Sequence, residues 1–107
     1  MNYRMKIGVK IKDKIIKFSG YLDSGNTLKI DDLPVIFLKE EYFKDINYEE
    51  MIVSGIGKSK CKYFKTKVVI NEKEKDVVCA SSKSGFKGCD CLININLMEG
   101  HENEITK

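Results

Sequence analysis

The chain has one arginine (Arg4), one proline (Pro34), one histidine (His101) and no apolar run long enough to cross a bilayer. No basic-then-apolar signal segment follows Met1, so an exported product is not expected. The net charge of +3 rests on lysines that mostly alternate with apolar residues, the pattern of a solvated sheet face. A nucleic-acid surface calls for a denser basic patch with interleaved aromatics, and no such partner is expected. With its only histidine near the tail, the chain offers four cysteines as soft metal ligands: Cys61, Cys79, Cys89 and Cys91. Cys89-x-Cys91 does not match the two-to-four-residue spacing of structural zinc sites, although the four thiols could converge in space. Buried free thiols in a reducing compartment are the expectation, with no metal and no cofactor.

What is present describes one small folded domain. In 107 residues, 42% are hydrophobic and 33% charged, which argues against disorder. No repeat, low-complexity segment or internal boundary interrupts it. Residues 1–100 read as the domain and 101–107 as a C-terminal tail.

Tyr3, Met5, Ile7, Val9 and Ile11 alternate with polar residues, predicting a strand with one buried face. Lys12 to Lys14 turns the chain, and Ile15 to Leu22 returns it. Lys29 to Leu33 reads as a polar connection. Pro34 opens a strand through Leu38, since proline at the first position loses no ladder bond. Lys39 to Asn47 reads as a short helix or irregular turn. Met51 to Val53 runs into the tip Ser54-Gly55-Ile56-Gly57-Lys58. Tyr63 to Ile70 and Asp76 to Ala80 form a further strand pair, and Ser81 to Gly88 a loop. Cys89 to Ile93 is a last buried strand, and Asn94 to Glu99 a short helix closed by Gly100. Six or seven strands with one or two short helices predict an all-β, closed, barrel-like domain.

The segment with most chemical content is Tyr21-Leu22-Asp23-Ser24-Gly25-Asn26-Thr27-Leu28. An apolar strand delivers an acid into a turn of Asp, Ser, Gly and Asn. A carboxylate in such a place is paired, hydrogen-bonded or catalytic, because burying it alone is costly. Two readings stand at this level: a turn acid capping its own backbone, or a catalytic acid.

Asp-Ser-Gly after an apolar pair is the signature loop of aspartic peptidases. Its extended form, Leu22 to Leu28, resembles the sporulation sigma-E-factor-processing peptidases, a bacterial family with retropepsin-like protease domains. Two other segments are similar in order and character. Met51 to Gly57 resembles the glycine-rich retropepsin flap, with Ser54, Gly55, Ile56 and Gly57 as flap candidates; an ordinary hairpin turn is the alternative. Gly88 to Met98 resembles the terminal strand and short helix of the sigma-processing domain. Retropepsins usually place glycine after the apolar pair of that strand, where this chain has Asn94.

The resemblance implies a retropepsin-like closed β-barrel and an aspartic endopeptidase with Asp23 as catalytic acid. Ser24, Gly25 and Asn26 would support its loop. The mechanism needs two acids, and the chain has one Asp-Ser-Gly and no Asp-Thr-Gly, so the implied enzyme is a homodimer. The implied substrate is a membrane-associated sigma-factor precursor, and an activator protein is a possible partner. The family carries a membrane-embedded half before its protease half, and nothing like that half is present in this sequence. The expectation is a soluble cytoplasmic domain, membrane-attached in a full-length protein. The rival expectation is a catalytically silent retropepsin-like module that dimerises or binds peptide.

Overall fold

The computed structural model describes residues 3–23, 27–44, 46–55, 57–82, 91–94 and 97, with backbone alone at Tyr3, Asp23, 51–55 and 57–59. Among these residues eight strands form: β1 (Tyr3–Ile11), β2 (Lys14–Asp23), β3 (Lys29–Ile30), β4 (Leu33–Lys39), β5 (Glu49–Gly55), β6 (Gly57–Ile70), β7 (Lys73–Ser82) and β8 (Cys91–Asn94). One 3₁₀ turn, Glu40–Phe43, lies within the segment read as a short helix or turn, and drives Phe43 into the core.

Two-residue turns organise the hairpins. Lys12 (φ 55°) opens the turn between β1 and β2, whose register runs from Tyr3 opposite Leu22 to Ile11 opposite Lys14. Asn71 and Glu72 (φ 49° and 67°) join β6 to β7, and Asp31 and Asp32 (φ 52° and 64°) join β3 to β4. In the last two turns, positive φ at both central residues matches the right-handed twist of the flanking strands.

The ladder runs β1-β2-β8-β4-β7-β6 and closes where β6 meets β1, with Gly8 opposite Val69 and Val9 opposite Val68. The Thr66 hydroxyl donates to the Lys10 carbonyl beside that seam. The result is a six-stranded closed barrel in which β2–β8 and β4–β7 pair in parallel and the other ring neighbours antiparallel. β5 extends from β6, and β3 from β4. The all-β, closed-barrel expectation is met. No helix among the described residues is long and apolar enough to cross a membrane.

β1 places Met5, Ile7, Val9 and Ile11 in the barrel interior, as its alternation requires. β4 and β7 behave differently, because apolar residues there bury on both faces. Ile36, Leu38, Val77 and Cys79 enter the main core; Val35, Val78 and Ala80 form a second cluster with Cys61. Leu28, Ile30, Leu33, Phe37 and Tyr63 pack over that cluster, so β3 and its flanks cover the outer face of β4. Each such aliphatic side chain contributes about 1.5–3 kcal/mol when fully buried.

Several boundaries differ from the sequence reading. Lys29 and Ile30 form β3 rather than a connection, because Ile30 gains the second cluster and Asp31-Asp32 accepts left-handed angles. β6 begins at Gly57 rather than Tyr63, since its first half pairs with β5. Ser81 and Ser82 extend β7 alongside Leu38 and Lys39. Asn94 ends β8 instead of starting a helix, and Leu97 is buried with its carbonyl accepting from Lys75 Nζ at 3.3 Å. The 83–88 loop, Cys89, the helix beyond Asn94 (apart from Leu97) and the 101–107 tail lie outside the described residues.

Cys61, Cys79 and Cys91 are buried and in no disulfide. Burial pushes the Cys79 thiol far above its ordinary value of 9.0, and neighbouring Cys91 adds to the rise. A group held protonated in the fold but ionised in the unfolded chain stabilises fully below the unfolded value. Above it the unfolded state binds fewer protons, so stability falls with pH by up to about 1.4 kcal/mol per unit. Urea unfolding from roughly pH 8 to 10 should show this slope lessened by up to one proton's worth in Cys79→Ala. Identical slopes in the two proteins would remove the assignment.

Candidate active site

The site begins at the end of β2, where three residues of preparation precede the acid. Gly20, Tyr21, Leu22 and Asp23 lie opposite Cys91, Leu92, Ile93 and Asn94 in parallel register. Leu22 and Ile93 are both buried in the main core, which anchors the two strands immediately before Asp23 and Asn94. Gly20 is required by closeness: a Cβ there would stand 2.5 Å from Cys91 Sγ and 2.8 Å from two Ile93 side-chain carbons. A glycine inside a strand commonly marks such a close approach.

Asp23 is therefore the last residue of a core strand, held by backbone pairing on β8. Ser24, Gly25 and Asn26, the loop-support candidates, lie outside the described residues. The chain is described again at exposed Thr27 and half-buried Leu28. The Leu28 carbonyl accepts two hydrogen bonds, from the Val35 N–H at 3.1 Å and from Asn94 Nδ2 at 2.7 Å. A carbonyl oxygen has two lone pairs and can take both.

Asn94 thus touches both ends of the Asp23 segment. Its backbone lies opposite Asp23, and its side chain bonds the carbonyl of Leu28. The residue is 0% exposed, in a structure whose described buried side-chain polar atoms all have partners. On the sequence alone Asn94 falls outside the predicted strand and has no expected bond; the structure gives it both. The available signal was an amide directly after Cys-Leu-Ile, since buried polar groups are hydrogen-bonded.

The flap candidates occupy the β5–β6 hairpin. Ser54 and Gly55 end β5, Gly57 begins β6, and Gly55 lies opposite Gly57; Ile56 is outside the described residues. The hairpin root is tied by the Tyr63 hydroxyl donating to Glu49 Oε2 at 2.6 Å, and that bond chiefly raises the Tyr63 pKa. Lys60 and Glu50 pair at 3.1 Å on the exposed surface, which adds little. Within the described ladder β5 pairs with β6 alone, and β6 reaches β2 through β1. The hairpin and Asp23 are therefore carried by separate parts of the barrel wall.

No protein-family model and no curated protein matches this sequence. Among solved structures, the barrel is similar to the foamy viral protease-reverse transcriptase in complex with an RNA/DNA hybrid. The match has a TM-score of 0.59 and covers 92% of this chain at 11% identity. The chain spans only 12% of that viral protein's length. With its closed six-stranded barrel, this chain has a retropepsin-like all-β fold.

Proposed function

We propose that this chain is the protease domain of an aspartic endopeptidase of the sporulation sigma-E-factor-processing kind, active as a homodimer. The observation that carries the reading is Asp23, opening Asp-Ser-Gly, at the end of a core strand of a retropepsin-like barrel. In this reading two copies meet about a two-fold axis and bring their Asp23 carboxylates to about 3 Å, where they share one proton. The ionised carboxylate takes a proton from water as the water oxygen bonds to the scissile carbonyl carbon. The protonated carboxyl hydrogen-bonds the carbonyl oxygen and stabilises the charge developing there. Collapse of the tetrahedral species breaks the C–N bond, and the departing amine takes the proton. No covalent enzyme intermediate forms, and no metal or cofactor enters.

Ser24, Gly25 and Asn26 support the acid in this scheme. Ser54 to Gly57 close over an extended peptide, where glycines on either side of Ile56 let a substrate backbone approach closely. Main-chain hydrogen bonding of strand-addition type holds the peptide. The substrate is a membrane-associated sigma-factor precursor, cleaved near its N-terminus on the cytoplasmic side. An activator protein and a membrane-attached remainder belong to the same proposal.

The test is co-expression of this chain with a candidate precursor, as wild type and as Asp23→Ala. Wild type is expected to yield the shortened factor, and Asp23→Ala none, with unchanged circular dichroism. Equal cleavage by both proteins rules out the aspartic mechanism. A folded wild type that leaves the precursor whole, at concentrations where it is dimeric, favours the silent module.

A further inference from the structure

We infer that Asn94 is the positioning residue of the Asp23 segment, a clasp that sets the separation of its two ends. As a role in catalysis, this rests on the proteolytic reading above. A buried carboxamide is expensive unless its donors and acceptor are used. Here the amide is wholly buried at the end of β8 and donates to Leu28 at 2.7 Å. The same residue stands opposite Asp23 in the parallel ladder. The two ends of a five-residue step, Asp23 to Leu28, are thus referred to one rigid point. That point is firmly set, because adjacent Ile93 is fully buried and β8 pairs with β2 on one side and β4 on the other.

The second bond to Leu28, from the Val35 N–H, extends the clasp into β4. β8 and β4 are therefore joined through the Leu28 carbonyl as well as through their own ladder. Glycine at position 94 would offer neither the amide nor this bond. A displacement of about 1 Å at a reacting group costs about 10²-fold in rate, so such a clasp acts on turnover more than on peptide affinity.

Two measurements test the inference, and one needs no substrate. In the wild-type protein the Asn94 side-chain amide protons should exchange with solvent at least about 10²-fold more slowly than a free amide. Asn94→Leu keeps much of the volume and removes the donor. In it, exchange at the Val35 amide and in the peptide covering 23–28 should rise about 10-fold or more. Exchange at Val68 and Val77, in β6 and β7, should change by less than about twofold. Asn94→Ala serves if the leucine variant fails to fold. Free exchange of the wild-type side-chain amide overturns the clasp. So does loop exchange unchanged in the variant, or raised evenly through the barrel.

The second measurement is precursor cleavage by the same variants. A positioning role lowers kcat about 10- to 100-fold with KM within about twofold. An unchanged kcat, or a change in KM alone, removes the catalytic role. Cleavage that Asp23→Ala performs as well as wild type would instead defeat the proteolytic reading, and amide exchange would still decide the clasp.

Discussion

Mixing wild-type protein with its Asp23→Asn variant at fixed total concentration should reduce peptide hydrolysis as the square of the wild-type fraction. At equal amounts, with free exchange of subunits, about a quarter of the activity remains, because one dimer in four carries two acids. The variant alone should be at least about 10³-fold slower than wild type, within the range that positioned acid–base groups contribute. The reason is chemical: a carboxamide can neither take up the proton that water loses nor release one to the departing amine, so a dimer with even one carboxamide lacks the proton-sharing acid pair. Asparagine is nearly isosteric with aspartate, so the β2–β8 pairing opposite Asn94 should survive. Initial rates across the mixing series decide the matter. A linear fall would mean that each chain works alone, and the shared two-fold site would have to be abandoned. Dilution offers an independent check, since a dimeric site loses specific activity below its dissociation constant.

Gly20→Ala should be the most damaging small substitution near the site. Its new Cβ would stand 2.5 Å from Cys91 Sγ and 2.8 Å from Ile93 Cδ1 and Cγ1. Both neighbours are fully buried, and their strand is held between β2 and β4. Neither side chain has open space to enter, so β2 and β8 must separate. Overpacking of this kind costs about 1–3 kcal/mol, and the tightness here argues for the upper end. For a domain of this size that lowers Tm by roughly 10 °C. The control is the double variant Gly20→Ala/Cys91→Ala, which removes the atom most closely struck. It should be more stable than additivity of the single variants requires, by about 1 kcal/mol or more. Strict additivity in urea unfolding would show that the clash is not what destabilises. Because Asp23 lies three residues beyond Gly20, activity should fall along with stability.

How much of this was legible beforehand depended on how each strand is buried. β1 could be read from alternation because one face meets the core and the other water. β4 and β7 gave only apolar runs, since a strand covered on both sides has no reason to alternate. β3 was missed because two residues, Lys29 and Ile30, are too few to show a period. Its turn, Asp31-Asp32, also lacks the glycine that usually announces positive φ. The first half of β6 was hidden by lysines, which serve an exposed hairpin as well as a loop. The Asp23 segment was legible for a different reason: an acid and turn formers after an apolar strand form a local chemical pattern.

The sequence alone determined the apolar faces, the single Asp-Ser-Gly and the glycines flanking Ile56, because these depend on residue type and short spacing. From them followed an all-β domain and an acid at the end of a strand. Only the tertiary structure decided that β8 lies parallel to β2, that Gly20 is a point of contact, and that Asn94 reaches Leu28. Those facts join residues as many as 73 positions apart, Gly20 and Ile93 among them. Such pairings are set by closing the barrel around one core, which no local window of the chain contains.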